Sequence, residues 1–106
     1  MAQFDVHRNA GRNARAVPFL IVVQSQRWYA YPTRLVLPLL QVGDQPNDSD
    51  LTPLFRIEGI DVVPNPLQMF YVPAKLLGPV VASLADDREA TRIIGAIDEA
   101  ISRGYR

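Results

Sequence analysis

The chain carries one histidine, His7, and no cysteine, so few of its side chains are able to move a proton or attack a carbonyl. Without cysteine there is no thiolate nucleophile, no disulfide and no zinc site of the cysteine type. A single histidine also excludes a multi-histidine metal site. His7 alternates with Gln3 and Asp5, which places it on the polar side of a strand. It could serve as a general base, but without a relay partner it reads as a surface histidine. Ser25, Ser49, Ser83 and Ser102 lack the G-x-S-x-G context of a nucleophile elbow. Gly43, Gly59 and Gly78 stand singly, so no glycine-rich phosphate loop is present. Asp48 and Asp50 have the spacing of a calcium loop without its glycine or distal glutamate. Two groups keep a functional reading. Arg8, Arg12 and Arg15 beside Asp5 suit an RNA-cleaving site made from Arg, Thr and a carboxylate, or else a charged hairpin tip that maintains solubility. Trp28-Tyr29-Ala30-Tyr31 is either a barrel-closing cluster or a binding anchor, since aromatics are enriched where interfaces gain most of their energy.

Charge distribution narrows the classes further. The chain has 106 residues and a formal net charge of zero, against the basic surface expected of a dedicated nucleic-acid binder. Residues 1–34 hold five Arg and one Asp, whereas residues 35–66 hold one Arg and five acids. Ten of the eleven basic residues are Arg, the side chain suited to bidentate contacts at protein interfaces. With 48% hydrophobic residues, the composition is that of one folded domain spanning 1–106. The longest apolar run, Phe19–Val23, is far too short for a membrane span. No secretory signal opens the chain, so the expected compartment is the cytoplasm.

Nine prolines and six glycines cut the chain into short elements. Gln3–Arg8 alternates as a half-buried strand, and Asn9–Ala16 reads as a turn or hairpin tip. Pro18–Gln24 is β-branched and aromatic, a buried strand. Leu35–Val42 is a further strand, which Pro38 assigns to an edge or a bulge. Gly43–Thr52 is an acidic loop. Leu54–Val63 is a strand pattern broken at Glu58-Gly59 by a tight turn or bulge, and Leu67–Val72 is another strand after the Pro64-Asn65-Pro66 turn. The period then changes. Asp86 with Glu89 three residues on has capping-box spacing, and Ile93, Ile97 and Ile101 recur every fourth residue. That predicts an amphipathic helix ending near Ser102, with Gly104 available as terminator. Short antiparallel strands followed by one C-terminal helix outline an SH3-like small barrel.

In order and spacing, Gln3-Phe4-x-Val6, Val23-Gln24-Ser25, Leu37-Pro38-Leu39 and the stretch Val72-Pro73-Ala74-Lys75-Leu76-Leu77-Gly78-Pro79-Val80-Val81-Ala82-Ser83-Leu84 resemble the CcdB family of toxins. Arg88-Glu89 and Ala96-Ile97 have counterparts there too, and residues 43–66 match least. The resemblance implies a mainly-β CcdB/MazF-like barrel: a five-stranded antiparallel sheet, an extra small sheet and one terminal helix, assembled as a two-fold homodimer. It implies a protein that is not an enzyme and needs no cofactor. Such a protein binds the A subunit of DNA gyrase, traps its cleavage complex, and is neutralised by a CcdA-like antitoxin through a largely disordered segment. It meets operator DNA only as the antitoxin complex, and involves no membrane.

Carried onto this chain, the family's gyrase contacts fall on Arg27, Trp28, Asp98, Ile101, Ser102, Arg103, Gly104 and Tyr105. The family's Phe-Trp-Gly-Ile ending aligns with Ile101-Ser102-Arg103-Gly104 or, one residue on, with Arg103 at the tryptophan and Gly104 at the glycine, and two loop isoleucines are replaced by Arg27 and Trp28. The helix tryptophan is therefore missing, and Trp28, the chain's one tryptophan, becomes a candidate replacement, with Tyr105 adding a second ring. Charge and patterning suggest an antitoxin surface over Arg8, Arg12, Arg15, Phe55, Arg56 and Ile57.

Overall fold

A computed structural model describes residues 2–43 and 48–101. Seven strands are followed by one helix: β1 (Asp5–Arg8), β2 (Phe19–Val22), β3 (Thr33–Gln41), β4 (Phe55–Ile57), β5 (Ile60–Pro64), β6 (Phe70–Pro73), β7 (Val80–Ser83) and α1 (Asp87–Ile101). All pairings are antiparallel, in the order β4-β5-β3-β2-β1-β7, with β6 sharing with β5 the edge of β3 that β2 leaves open. This nearly closed, barrel-like sheet with a single C-terminal helix is the architecture expected from the sequence. The small extra sheet is continuous with the main one, because the β4–β5 hairpin joins β3 at Leu39–Gln41.

Pro38 lies inside the sheet rather than at an edge. Its partner on one side is Leu20; on the other, β6 has stopped at Val36 and β5 begins at Leu39. The missing N–H falls at this handover between two partner strands, where no ladder bond is forfeited. The Pro38 carbonyl still accepts from Asn65 N–H at 3.0 Å. The first strand is shorter than its alternation suggests. Residues 2–5 form a turn closed by Asp5 N–H to the Ala2 carbonyl, 3.1 Å, with Phe4 at φ 69°. The left-handed backbone costs a non-glycine residue roughly 1–2 kcal/mol. Phe4 is held there by its N–H to the Val22 carbonyl and by its own carbonyl, which accepts from Leu84 N–H. At the β4–β5 turn, Glu58 and Gly59 both have positive φ, 51° and 79°, the combination a two-residue type I′ hairpin requires.

Alternation divides the sheet into two faces. The inner face carries Val6, Phe19, Ile21, Leu37, Leu39 and Val62, joined by Phe55, Ile57 and Leu84 and sealed by Ile93 of α1. The outer face carries Leu20, Val22 and Val36, roofed by Val17 and by Tyr29, Val72 and Leu77. Both faces of β2 are covered, so all four of its residues are buried. The helix begins as its capping spacing predicts, with Asp86 Oδ1 accepting from Glu89 N–H at 2.8 Å. That backbone bond, with the Glu89 side chain second, holds the Asp86 carboxyl below its ordinary value. Burial, reinforced by Asp86, pushes Glu89 up. Among the described residues no helix is long and apolar enough to cross a membrane.

Candidate functional site

The loop between β2 and β3 is built to present two rings and bury a third. Buried Gln24 spans its base: its Nε2 donates to the Trp28 carbonyl at 3.2 Å, and its Oε1 accepts from Leu35 N–H at 3.0 Å. Ser25 caps a 3-10 turn, Gln26–Trp28, by accepting from Arg27 N–H. Tyr31 N–H returns to the Trp28 carbonyl at 3.1 Å. Arg34 supports the loop from within the protein. Its Nη1 donates to the carbonyls of Tyr31 and Thr33, and its guanidinium lies 4.0 Å from the Tyr29 ring centroid. Burial raises the Tyr29 phenol above its ordinary value, and Arg34 partly offsets that.

The aromatic cluster therefore splits into one packed ring and two exposed ones. Tyr29 packs onto the outer-face core, while Trp28 and Tyr31 remain 58% and 59% exposed. Their ring centroids are 6.3 Å apart at an interplanar angle of 41°, a tilted aromatic pair. Tyr71 of β6, paired to Leu35 of β3, is 67% exposed and lines the same hollow of about 760 Å³, floored by Val23 and Leu35. Exposed Arg27 precedes Trp28 in the turn. Tyr71 was not singled out from the sequence: alternation puts Phe70 and Tyr71 on opposite faces without saying which face is left open.

The helix-end candidates sit elsewhere. Asp98 lines a shallow hollow with Phe4, Thr91 and Ile94, and Ile101 is exposed at the last described turn of α1. Ser102, Arg103, Gly104 and Tyr105 lie outside the described residues. Phe4 is a second residue the sequence left unmarked; its left-handed backbone is visible only in three dimensions.

Three expectations are corrected by packing. His7 is not a surface residue: it is 1% exposed, because β1 is paired on both sides and the chain around Gly78 covers it. His7 Nδ1 lies 2.8 Å from the Gly78 carbonyl; a carbonyl only accepts, so Nδ1 donates, and the buried Nε2 has no hydrogen-bond partner among the described residues. Phe55 and Ile57 are 5% and 3% exposed core residues, not surface contacts, because the β4–β5 hairpin folds that face inward. Of the proposed antitoxin surface, Arg8, Arg12, Arg15 and Arg56 remain outside. Arg8 pairs with Glu58 at 2.8 Å, drawing the first loop to the hairpin turn, and Arg56 pairs with Asp61 at 3.3 Å. Arg92 stacks 4.8 Å from the Phe55 ring and pairs with Asp48. Among the described residues, no three His, Cys, Asp or Glu side chains are grouped as a metal would need.

The fold is thus a small barrel-like sheet with one C-terminal helix and a group of exposed aromatic rings, Trp28, Tyr31 and Tyr71, on its surface. Residues 3–103 match the family described as CcdB protein, and the chain belongs to the CcdB family. A comparison with curated proteins found no match.

Proposed function

We propose that the protein is the toxin of a toxin–antitoxin pair, acting as a homodimer that binds the A subunit of DNA gyrase and traps its cleavage complex. It does so by binding rather than by catalysis. A CcdA-like antitoxin neutralises it, and the two together contact operator DNA. Family membership over nearly the whole chain supports this reading. The observation that carries it to particular residues is the exposure of Trp28 and Tyr31 on a loop already ordered by Gln24 and Arg34. The rings are held for a partner rather than folded under the barrel, so little ordering is required on contact. In this reading Trp28 replaces the tryptophan that the helix end lacks, with Arg27 and Tyr31 beside it, while Asp98 and Ile101 contribute from α1 and Ser102, Arg103, Gly104 and Tyr105 follow them in sequence.

The test is inhibition of gyrase supercoiling by the purified protein, with trapped cleavage complexes scored on plasmid DNA. Trp28→Ala should weaken inhibition by about 30-fold, the loss of a hot spot worth about 2 kcal/mol, while the fold stays intact. Tyr31→Ala reports on the neighbouring ring, and Tyr105→Ala on the second ring suggested by the sequence. If the wild-type protein binds its antitoxin yet leaves gyrase active, it is an interaction protein that has lost the toxic target. Metal-independent cleavage of RNA would instead establish a ribonuclease.

A further inference from the structure

We infer that Arg34 positions the Trp28 loop from the opposite face of the sheet, and that the fold gives up stability to keep it there. The inference deepens the gyrase reading above and rests on it only for the effect on that partner. Thr33 and Leu35 line the hollow beside Trp28, Tyr31 and Tyr71. Arg34 alternates with them along β3 and pairs with Val72 of β6, which packs on the outer face. The Arg34 side chain therefore leaves the strand on that outer face. An occupant of the hollow sits on the other side of the sheet. Arg34 reaches it only through the backbone of the loop, which Nη1 grips at the carbonyls of Tyr31, 2.6 Å, and Thr33, 2.9 Å.

The way Arg34 is buried shows that it serves the loop rather than the core. It is 7% exposed, and no carboxylate pairs with it among the described residues. The Tyr29 ring, 4.0 Å away, and the two carbonyls stand in for a counter-ion. Among the described residues, its buried Nε has no hydrogen-bond partner, and neither has the Tyr29 hydroxyl. Arginine is seldom buried unless paired, and a buried charge or an unpartnered polar atom lowers stability. An apolar side chain would fill the same space better. What the guanidinium adds is order. Gln24 Nε2 and Tyr31 N–H hold the Trp28 carbonyl, and Ala74 N–H holds that of Pro32 at 2.8 Å. With the two bonds from Arg34, the backbone from Trp28 to Thr33 is fixed at four of its carbonyls. Any residue left unfixed would have to be ordered on contact, at the expense of affinity.

Trp28 is the chain's one tryptophan, so its fluorescence reads the loop directly and without any partner. Time-resolved anisotropy of the full chain should show Trp28 tumbling with the whole molecule. In Arg34→Met, which replaces the guanidinium by an apolar side chain, a fast nanosecond component should appear. Melting should rise, or fall by no more than roughly 8 °C. Inhibition of gyrase supercoiling by Arg34→Met should weaken at least about tenfold, the equivalent of re-ordering the backbone of a single residue. Arg34→Lys, which keeps a charge and donors for both carbonyls, should lose less than about threefold. An Arg34→Met protein whose Trp28 is as rigid as in the wild type would overturn the inference. A larger fall in melting would overturn it as well, by making Arg34 a core residue. So would a loosened Trp28 with inhibition weakened less than about tenfold, or Arg34→Lys as impaired as Arg34→Met. A wild type that leaves gyrase active removes the gyrase reading, and the positioning role is then decided by anisotropy and melting alone.

Discussion

Replacing Gly78 by alanine should be the most damaging single-methyl change in the molecule. Gly78 lies against the end of β1, and a Cβ there would overlap the Arg8 carbonyl oxygen and stand 3.3 Å from its carbonyl carbon. Both atoms are backbone, so no side chain can swing aside. The segment carrying Gly78 and Pro79 must lift away from β1. Two bonds are lost when it does: Arg8 N–H to the Pro79 carbonyl, 2.9 Å, and His7 Nδ1 to the Gly78 carbonyl, 2.8 Å. Each is worth about 0.5–1.5 kcal/mol, and a buried donor left unsatisfied adds about 1–3 kcal/mol. The expected loss is about 2–6 kcal/mol, a fall in melting temperature of roughly 10–25 °C for a chain of this size. Gly95→Ala is the control. A Cβ there meets nothing within 4 Å, and alanine is favoured inside a helix by about 1 kcal/mol, so melting should rise by roughly 4–8 °C. Both are read by thermal unfolding followed by circular dichroism. A Gly78→Ala protein melting within roughly 2 °C of wild type would refute the packing argument, since the clash would then be absorbed without breaking either bond.

Asn9→Ala removes a side chain that ties together Gly11, Asn13 and Val17. It should lower stability by about 1–3 kcal/mol and speed amide exchange within residues 10–17 more than in β2. Asp86→Asn should lower melting at neutral pH. The folded carboxyl titrates below its ordinary value of 3.8, so the charged form supplies stability that is present above that value and lost as pH falls through the folded one. The gap between variant and wild type should therefore close on acidification, and a gap independent of pH would show that the charge is not what caps the helix. Light scattering at tens of micromolar should give the mass of a dimer; a monomer would remove the homodimer reading.

Much of the fold was legible because its signals are local. The alternation through Val6, the β-branched run at Phe19–Val23, the Glu58-Gly59 break and the Asp86 cap each depend on neighbours a few residues away. Their counterparts in the structure are strands, a hairpin and a helix within a residue or two of expectation. The candidate site was legible only in part. The Trp28 turn could be named from its rings, but whether those rings pack or project depends on Arg34 and Gln24, which reach the loop from the strand and loop around it. Pro38 misled because a strand can change partners midway, which no local pattern records.

By itself the sequence determined the element types, the capped helix, the absence of thiol and multi-histidine chemistry, and the family order of motifs. These follow from backbone propensity, side-chain period and residue inventory, all carried along the chain. Tertiary structure alone decided exposure. Alternation says that Phe70 and Tyr71 face opposite ways, and that Phe55 and Ile57 share a side, but not which side water reaches. That depends on which faces the helix, the loop of residues 9–17 and the Gly78 segment cover. His7 shows the consequence most plainly: a polar residue on the polar side of an alternating strand is buried, because a distant stretch of chain with no side chain at Gly78 comes close enough to cover it.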